Sequence, residues 1–276
     1  MSSVLRFRLL LVFAMAISGP IVPASAPAQA TQHLGYLMLT QPFVMKGTMD
    51  AEQDLPTTPR TGMVVIGLAG DSTVCYNTGY AAGFRAHFDT RVQILNLSHG
   101  GRTTATFRSD GRWTQMMAYK PDYVLIQFGH NDEGFMSLDV YSANLARFVD
   151  EARAAGVIPI LVTPVSRRYW QDDGKIHSDL IPSANAMKKV AADKGCLLMD
   201  LHARAIELYL SVGKQVTDTW SPSKPNPALA RAANPSTMPQ TVLDKTHFNA
   251  EGNKQMGKVV AEELAKVVPA LAKYVH

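Results

Sequence analysis

Apolar residues in this chain gather in short blocks that switch between two spacings. Met63 to Leu68 is an apolar run bounded by glycines, and Val92 to Leu97, Tyr123 to Phe128, Val157 to Val162 and Cys196 to Leu201 repeat the pattern. Short continuous runs of this kind predict strands buried on both faces. Between them the spacing becomes helical. Leu138 to Ala155 sets Val140, Leu145, Phe148, Val149 and Ala152 along one side, and Gly156 follows as a stop. Further helices are predicted over Tyr80 to Phe88, Trp113 to Tyr119, Ser183 to Lys194 and His202 to Val212. A last helix carries Met256, Val259, Val260, Leu264, Val267, Val268 and Leu271 on one face. Strands alternating with helices form parallel β-α-β units, so the pattern predicts an α/β protein. Its form is a three-layer α/β/α sandwich around a five-stranded, mostly parallel sheet. Ligands of such sheets bind beyond the carboxyl ends of the strands, which is where chemistry should be sought.

The ends and composition change this picture little. Arg6 and Arg8 precede the apolar run Leu9 to Ile17, and small residues lead to Ala28-Gln29-Ala30. Residues 1–30 therefore read as a secretory signal peptide cleaved before Thr31. Residues 31–60 read as an extended lead-in, and 61–276 as one domain, exported to the periplasm or secreted. No later run reaches the ~20 apolar residues that span a bilayer, so no stable membrane association is expected after cleavage. Without Arg6 and Arg8, 25 of the 27 Lys and Arg residues face 23 acidic ones, leaving a charge of about +2. The basic residues are scattered, which argues against a nucleic-acid partner. Cys75 and Cys196 are the two cysteines. An oxidising compartment permits a disulfide between them, and the sequence leaves that pairing open.

Polar clusters follow the strands as the topology demands. Gly70-Asp71-Ser72-Thr73 follows the first strand, where a serine hydroxyl would stand at the sheet's rim; the same residues also suit a simple helix cap. His99-Gly100-Gly101-Arg102 follows the second, offering exposed backbone amides or merely a turn of positive φ. Gly129-His130-Asn131-Asp132 follows the third; Asn131 offers a side-chain amide, or stabilises a turn. Before the last helix comes Asp244-Lys245-Thr246-His247-Phe248-Asn249. A carboxylate three residues before a histidine can orient its ring and leave the other nitrogen free to take a serine proton. Alternatively, Asp244 or Asn249 caps that helix. His130 is read as bracing the site without moving a proton, and His33, His87, His177, His202 and His276 as surface or core residues.

Taken as a set, in the order serine, glycine, asparagine, aspartate–histidine, these blocks resemble the SGNH/GDSL hydrolase superfamily. The chain looks most like its rhamnogalacturonan acetylesterase-like carbohydrate esterases. Gly70-Asp71-Ser72-Thr73, Gly101-Arg102-Thr103, Phe128-Gly129-His130-Asn131-Asp132 and Asp244-x-x-His247-Phe248-Asn249 carry the likeness, with Thr163-Pro164-Val165-Ser166-Arg167-Arg168 as a further feature. It extends from about Val64 to Val260. The resemblance implies a flavodoxin-like SGNH-hydrolase fold with Ser72 as nucleophile, His247 as base and Asp244 orienting it. It also implies an oxyanion hole made by the amides of Ser72 and Gly101 with the Asn131 side chain, and no metal or organic cofactor.

The expected reaction is removal of O-acetyl groups from plant cell-wall polysaccharide of the rhamnogalacturonan or pectin type. Alternatives are a lipase or thioesterase, an acetylxylan or small acetyl-sugar esterase, and a non-catalytic glycan-binding relative. Arg102, Arg167 and Arg168 are read as contacts for substrate carboxylates, because a guanidinium fork matches a carboxylate; pairing with protein carboxylates is the other use for them. His99-Gly100-Gly101 is also found in lipases of another α/β fold, but that fold needs Gly-x-Ser-x-Gly, and Val74 stands where its last glycine belongs. No His-Glu-x-x-His, Cys-x-x-Cys or phosphate-binding glycine loop occurs. The proline-rich stretch Ser221 to Gln240 forms either a wall of the cleft or a surface excursion.

Overall fold

The computed structural model describes residues 61–228 and 238–276; the readings of 1–30, 31–60 and the middle of the proline-rich stretch lie outside them. In chain order the elements are β1 (Val64–Gly70), α1 (Ala81–Ala86), β2 (Val92–Asn96), α2 (Thr104–Ser109), α3 (Arg112–Tyr119), β3 (Tyr123–Gln127), α4 (Leu138–Ala154) and β4 (Ile158–Val162). There follow β5 (Tyr169–Trp170), β6 (Ile176–His177), α5 (Ile181–Lys194), β7 (Leu197–Met199), α6 (Leu201–Val212), α7 (Lys214–Thr219), β8 (Ser223–Pro225), β9 (Thr241–Leu243) and α8 (Ala250–Val267). A 3-10 turn over Pro269–Tyr274 closes the chain.

The central sheet has five strands in the order β2-β1-β3-β4-β7, and every pairing is parallel. Its strands are apolar because both faces are covered. Along β1, Ile66 and Leu68 enter one core with Tyr80 and Phe84 near α1, Leu201 and Tyr209 of α6, and Met256 and Val260 of α8. Val65 and Ala69 point the other way, into a core with Phe107 of α2, Trp113 of α3, Phe148 of α4 and Met187 of α5. The period-two alternation of side chains thus assigns helices to two layers. Within the second layer Phe128 stacks on Phe148 at 5.7 Å, and Trp113 meets Phe148 edge-on at 4.6 Å. Burying such a side chain is worth about 1.5–3 kcal/mol.

Two helices were not legible in the pattern. α2 is short and threonine-rich, and it forms because Thr103 and Thr106 bond each other's backbone at its start, a capping box with threonine in the usual glutamate position. α7 buries Thr217 rather than an apolar stripe. The proline-rich stretch differs from the expected irregular loop at its base, where β8 and β9 pair antiparallel and deliver the chain to Asp244. Cys75 and Cys196 are not joined: the Cys75 thiol turns to the Asp71 carbonyl at 3.5 Å and that of Cys196 to the Pro159 carbonyl at 3.3 Å. No helix among the described residues is long and apolar enough to cross a membrane.

Candidate active site

The strand order reverses direction at β1: the chain leaves β1 for β2 on one side, then returns to place β3 on the other. Such a switch point opens a crevice at the carboxyl ends of the strands. Ser72 follows β1, Gly100 and Gly101 follow β2, and Asn131 follows β3, so all of them converge there.

Ser72 stands in a tight turn rather than at a helix start. The Val74 N–H donates to the Asp71 carbonyl at 3.1 Å, and the Thr78 hydroxyl donates to the Ser72 carbonyl at 2.8 Å. Gly70 is needed at the end of β1 because a Cβ there would lie 2.5 Å from Val74 Cγ2 and 2.8 Å from the Gln127 carbonyl oxygen. Beneath the turn, Asp71 Oδ1 accepts from the Thr73 N–H and hydroxyl at 2.9 and 2.7 Å, and Gln127 of β3 donates to that hydroxyl at 2.8 Å.

The Asp244–His247 turn arrives from the far end of the sequence. Asp244 Oδ1 accepts from the N–H groups of Thr246 and His247 at 2.9 and 3.1 Å, while Oδ2 lies 2.9 Å from His247 Nδ1. Burial disfavours the Asp244 carboxylate, but the bonds from the His247 ring and from the two backbone N–H groups outweigh it. They hold its carboxyl well below the usual range. An ionised carboxylate only accepts, so Nδ1 carries the hydrogen and Nε2 is left as an acceptor. Nε2 sits 2.8 Å from Ser72 Oγ. Asn249, not Asp244, caps α8, its side chain accepting from the Gly252 N–H.

Around this triplet lie backbone donors that the fold leaves without internal use. Among the described residues, neither the Ser72 nor the Gly101 N–H donates to a protein acceptor. Gly101 has φ +73°, a backbone conformation that favours glycine, and the space around it is open. Asn131 is steadied by one amide hydrogen donated to the Arg102 carbonyl at 3.0 Å, which leaves its second available. Its neighbour Asp132 locks this loop to the start of α2, accepting from the Thr104 N–H and hydroxyl at 2.8 and 2.6 Å. Burial raises the Asp132 carboxyl pKa despite those two bonds.

The arginines are placed differently from the reading as substrate contacts. Arg168 is fully buried, with its guanidinium on the Asp244 and His247 carbonyls at 2.9 and 2.5 Å. Arg167 pairs with Glu133 at 2.9 Å and Asp179 at 2.5 Å, and Arg102 pairs with Asp110. All three thus meet protein groups. His130 is buried, its Nε2 donating to the Val165 carbonyl at 2.9 Å and its Nδ1 3.6 Å from Asp71 Oδ2. Sequence reasoning reads His130 as a brace but misses its pairing with Asp71, and it misses the Arg168 anchor, for which the side-by-side arginines after β4 were the available signal. His202 is also internal, 2.9 Å from the Pro164 carbonyl, and burial lowers its pKa.

Residues 68–255 match the model of the GDSL-like lipase/acylhydrolase family. The chain belongs to that family. It is accordingly a carboxylic ester hydrolase. Among curated proteins it is similar to the rhamnogalacturonan acetylesterase RhgT of Bacillus subtilis, with 31% identity over 72% of this chain and 89% of that one. Two solved structures share the fold. The Bacillus subtilis protein YXIM_BACsu superposes with a TM-score of 0.62 at 21% identity over 77% of this chain, which spans 58% of that protein's length. An acetylxylan esterase from Geobacillus stearothermophilus gives 0.51 at 19% identity, covering 74% of this chain and 93% of that one.

Proposed function

We propose that this esterase removes O-acetyl groups from an acetylated cell-wall polysaccharide of the rhamnogalacturonan type, with Ser72, His247 and Asp244 as its catalytic triad. The observation that carries the triad is the 2.8 Å approach of His247 Nε2 to Ser72 Oγ, with the ring's other nitrogen on an ionised carboxylate. His247 draws the hydroxyl proton as Ser72 Oγ attacks the acetyl carbonyl carbon. The tetrahedral oxyanion is received by the Ser72 and Gly101 amides and by the Asn131 side chain, each such donor being worth roughly 3–4 kcal/mol of barrier. Collapse of the intermediate expels the sugar alkoxide, which takes the proton from His247. A water, deprotonated by the same ring, then releases acetate and restores Ser72. The substrate assignment is supported by the similarity to the rhamnogalacturonan acetylesterase. Export of the chain after cleavage before Thr31 belongs to the same reading.

Acetate release from acetylated rhamnogalacturonan, acetylated xylan and a small acetyl sugar, measured in parallel, tests both parts. Ser72→Ala should abolish release from all three while the protein stays folded; undiminished turnover in that variant removes the triad. A wild-type preference for xylan would leave the triad standing and overturn the substrate.

A further inference from the structure

The Thr163–Arg168 segment that follows β4 supplies no reacting group to the proposed chemistry, yet it ends in a fully buried arginine, the first among the largest such side chains. Taking a guanidinium out of water is costly unless its donors are satisfied. Arg168 Nη2 donates to the main-chain carbonyls of Asp244 at 2.9 Å and His247 at 2.5 Å, and Nε to the Ser221 hydroxyl at 3.2 Å. Its guanidinium lies 4.5 Å above the centre of the Phe248 ring, and its backbone N–H donates to the Lys245 carbonyl at 2.9 Å. Nη1 is buried with no partner among the described residues. Every hydrogen bond of this cation therefore goes to a neutral oxygen. A side chain kept only for stability would do better as a hydrocarbon of the same volume, since replacing buried charge with well-packed apolar groups is often neutral or stabilising.

What an apolar side chain lacks is the directional pair of donors. One nitrogen of Arg168 holds the carbonyls of both Asp244 and His247, while the Arg168 main chain fixes Lys245, between them, to the segment that follows β4. The turn that presents Asp244 and His247 is thereby tied to the parallel sheet that carries Ser72. Other ties on this turn act elsewhere: Asp244 N–H on the Pro222 carbonyl at 2.7 Å, Phe248 N–H on the Thr78 carbonyl at 2.9 Å, and the Lys245–Asp218 ion pair. Both carbonyls that bear directly on the Asp244–His247 spacing are held by Arg168.

We propose that Arg168 is a positioning residue for ester hydrolysis, setting the place of His247 against Ser72 and so governing turnover rather than substrate binding. This rests on the triad reading above. A displacement of about 1 Å in such a constellation costs on the order of 100-fold in rate.

The test compares wild type, Arg168→Lys and Arg168→Met on p-nitrophenyl acetate. Competent serine is counted with a fluorophosphonate, which forms a P–O bond to Ser72 and expels fluoride. Per titrated serine, kcat in Arg168→Met should fall about 100-fold with KM within about twofold of wild type, and Arg168→Lys should recover about tenfold of that loss. Wild-type kcat per titrated serine in Arg168→Met overturns the proposal, as does a rise in KM at constant kcat. Should the methionine variant fail to fold, a folded Arg168→Lys decides: kcat reduced about tenfold at unchanged KM supports positioning, and wild-type kcat overturns it. Ser72→Ala, run alongside, separates the two ideas, because turnover there would remove the triad itself.

Discussion

Ser72 stands between two aspartate–histidine pairs made from the same residue types, and their surroundings give them opposite properties. In front, Asp244 and His247 have side-chain exposures of 12% and 30%, and the ring's outer nitrogen meets the serine hydroxyl. Behind, Asp71 and His130 are at 0% and 3%, and the ring's far nitrogen is occupied by the Val165 carbonyl. In the front pair the imidazole keeps one nitrogen able to accept a proton at the rim. In the rear pair neither nitrogen can reach a substrate. Burial pushes the Asp71 carboxyl up, but His130 and the Thr73 donors outweigh it and the carboxyl is held below its ordinary value. A carboxylate beside a histidine is therefore not an active site in itself; access of the second nitrogen to the serine hydroxyl separates the two.

Removing one partner from each pair should break the symmetry sharply. Asp244→Asn keeps the shape but lets the ring take the wrong tautomer, and kcat per folded molecule should fall by roughly 10³–10⁴-fold, a loss far larger than any accompanying fall in melting temperature explains. A variant with normal kcat would mean that the front pair does not orient the base. His130→Gln should do the reverse. It removes the ring that sits 3.6 Å from the buried Asp71 carboxylate and donates to the Val165 carbonyl, so stability should drop by about 1–3 kcal/mol in urea titrations, while kcat per folded molecule falls far less than in Asp244→Asn. A loss of activity as deep as that of Asp244→Asn, at unchanged stability, would make the rear pair part of the chemistry.

A smaller effect concerns acid. The folded pKa of Asp71 is depressed, so its contribution to stability is complete above the unfolded value of about 3.9 and is lost as pH falls through the lower folded value. Asp71→Asn should thus be less stable than wild type at neutral pH, and the gap should narrow as pH drops below about 4, where the unfolded chain takes up a proton at Asp71 before the folded carboxyl does. Chemical denaturation across that range measures it. A gap that widens toward low pH would contradict the depressed pKa.

Much of the architecture was legible because hydrophobic spacing reports burial directly. The five apolar runs became the five strands of the central sheet, and the reading as mostly parallel proved wholly parallel. The short helices α2 and α7 escaped, since neither presents an apolar stripe long enough to show a period. The four polar blocks were visible as words at strand ends, and the fold brings Ser72, Gly101, Asn131 and His247 to one crevice. The arginines show where the reading stops. Arg167 and Arg168 are adjacent in sequence and chemically identical, yet one pairs with carboxylates of two loops and the other is buried against the Asp244–His247 turn.

The sequence by itself determined the α/β class, the strands and the inventory of reactive groups at their ends, because those follow from local spacing and residue chemistry. Only the tertiary structure decided which histidine keeps a nitrogen at the rim, which arginine is withdrawn from solvent and which amides are left without partners. Those properties depend on what lies across space from each group: residue 72 meets residue 247 only when the segment before α8 is folded back against the turn that follows β1.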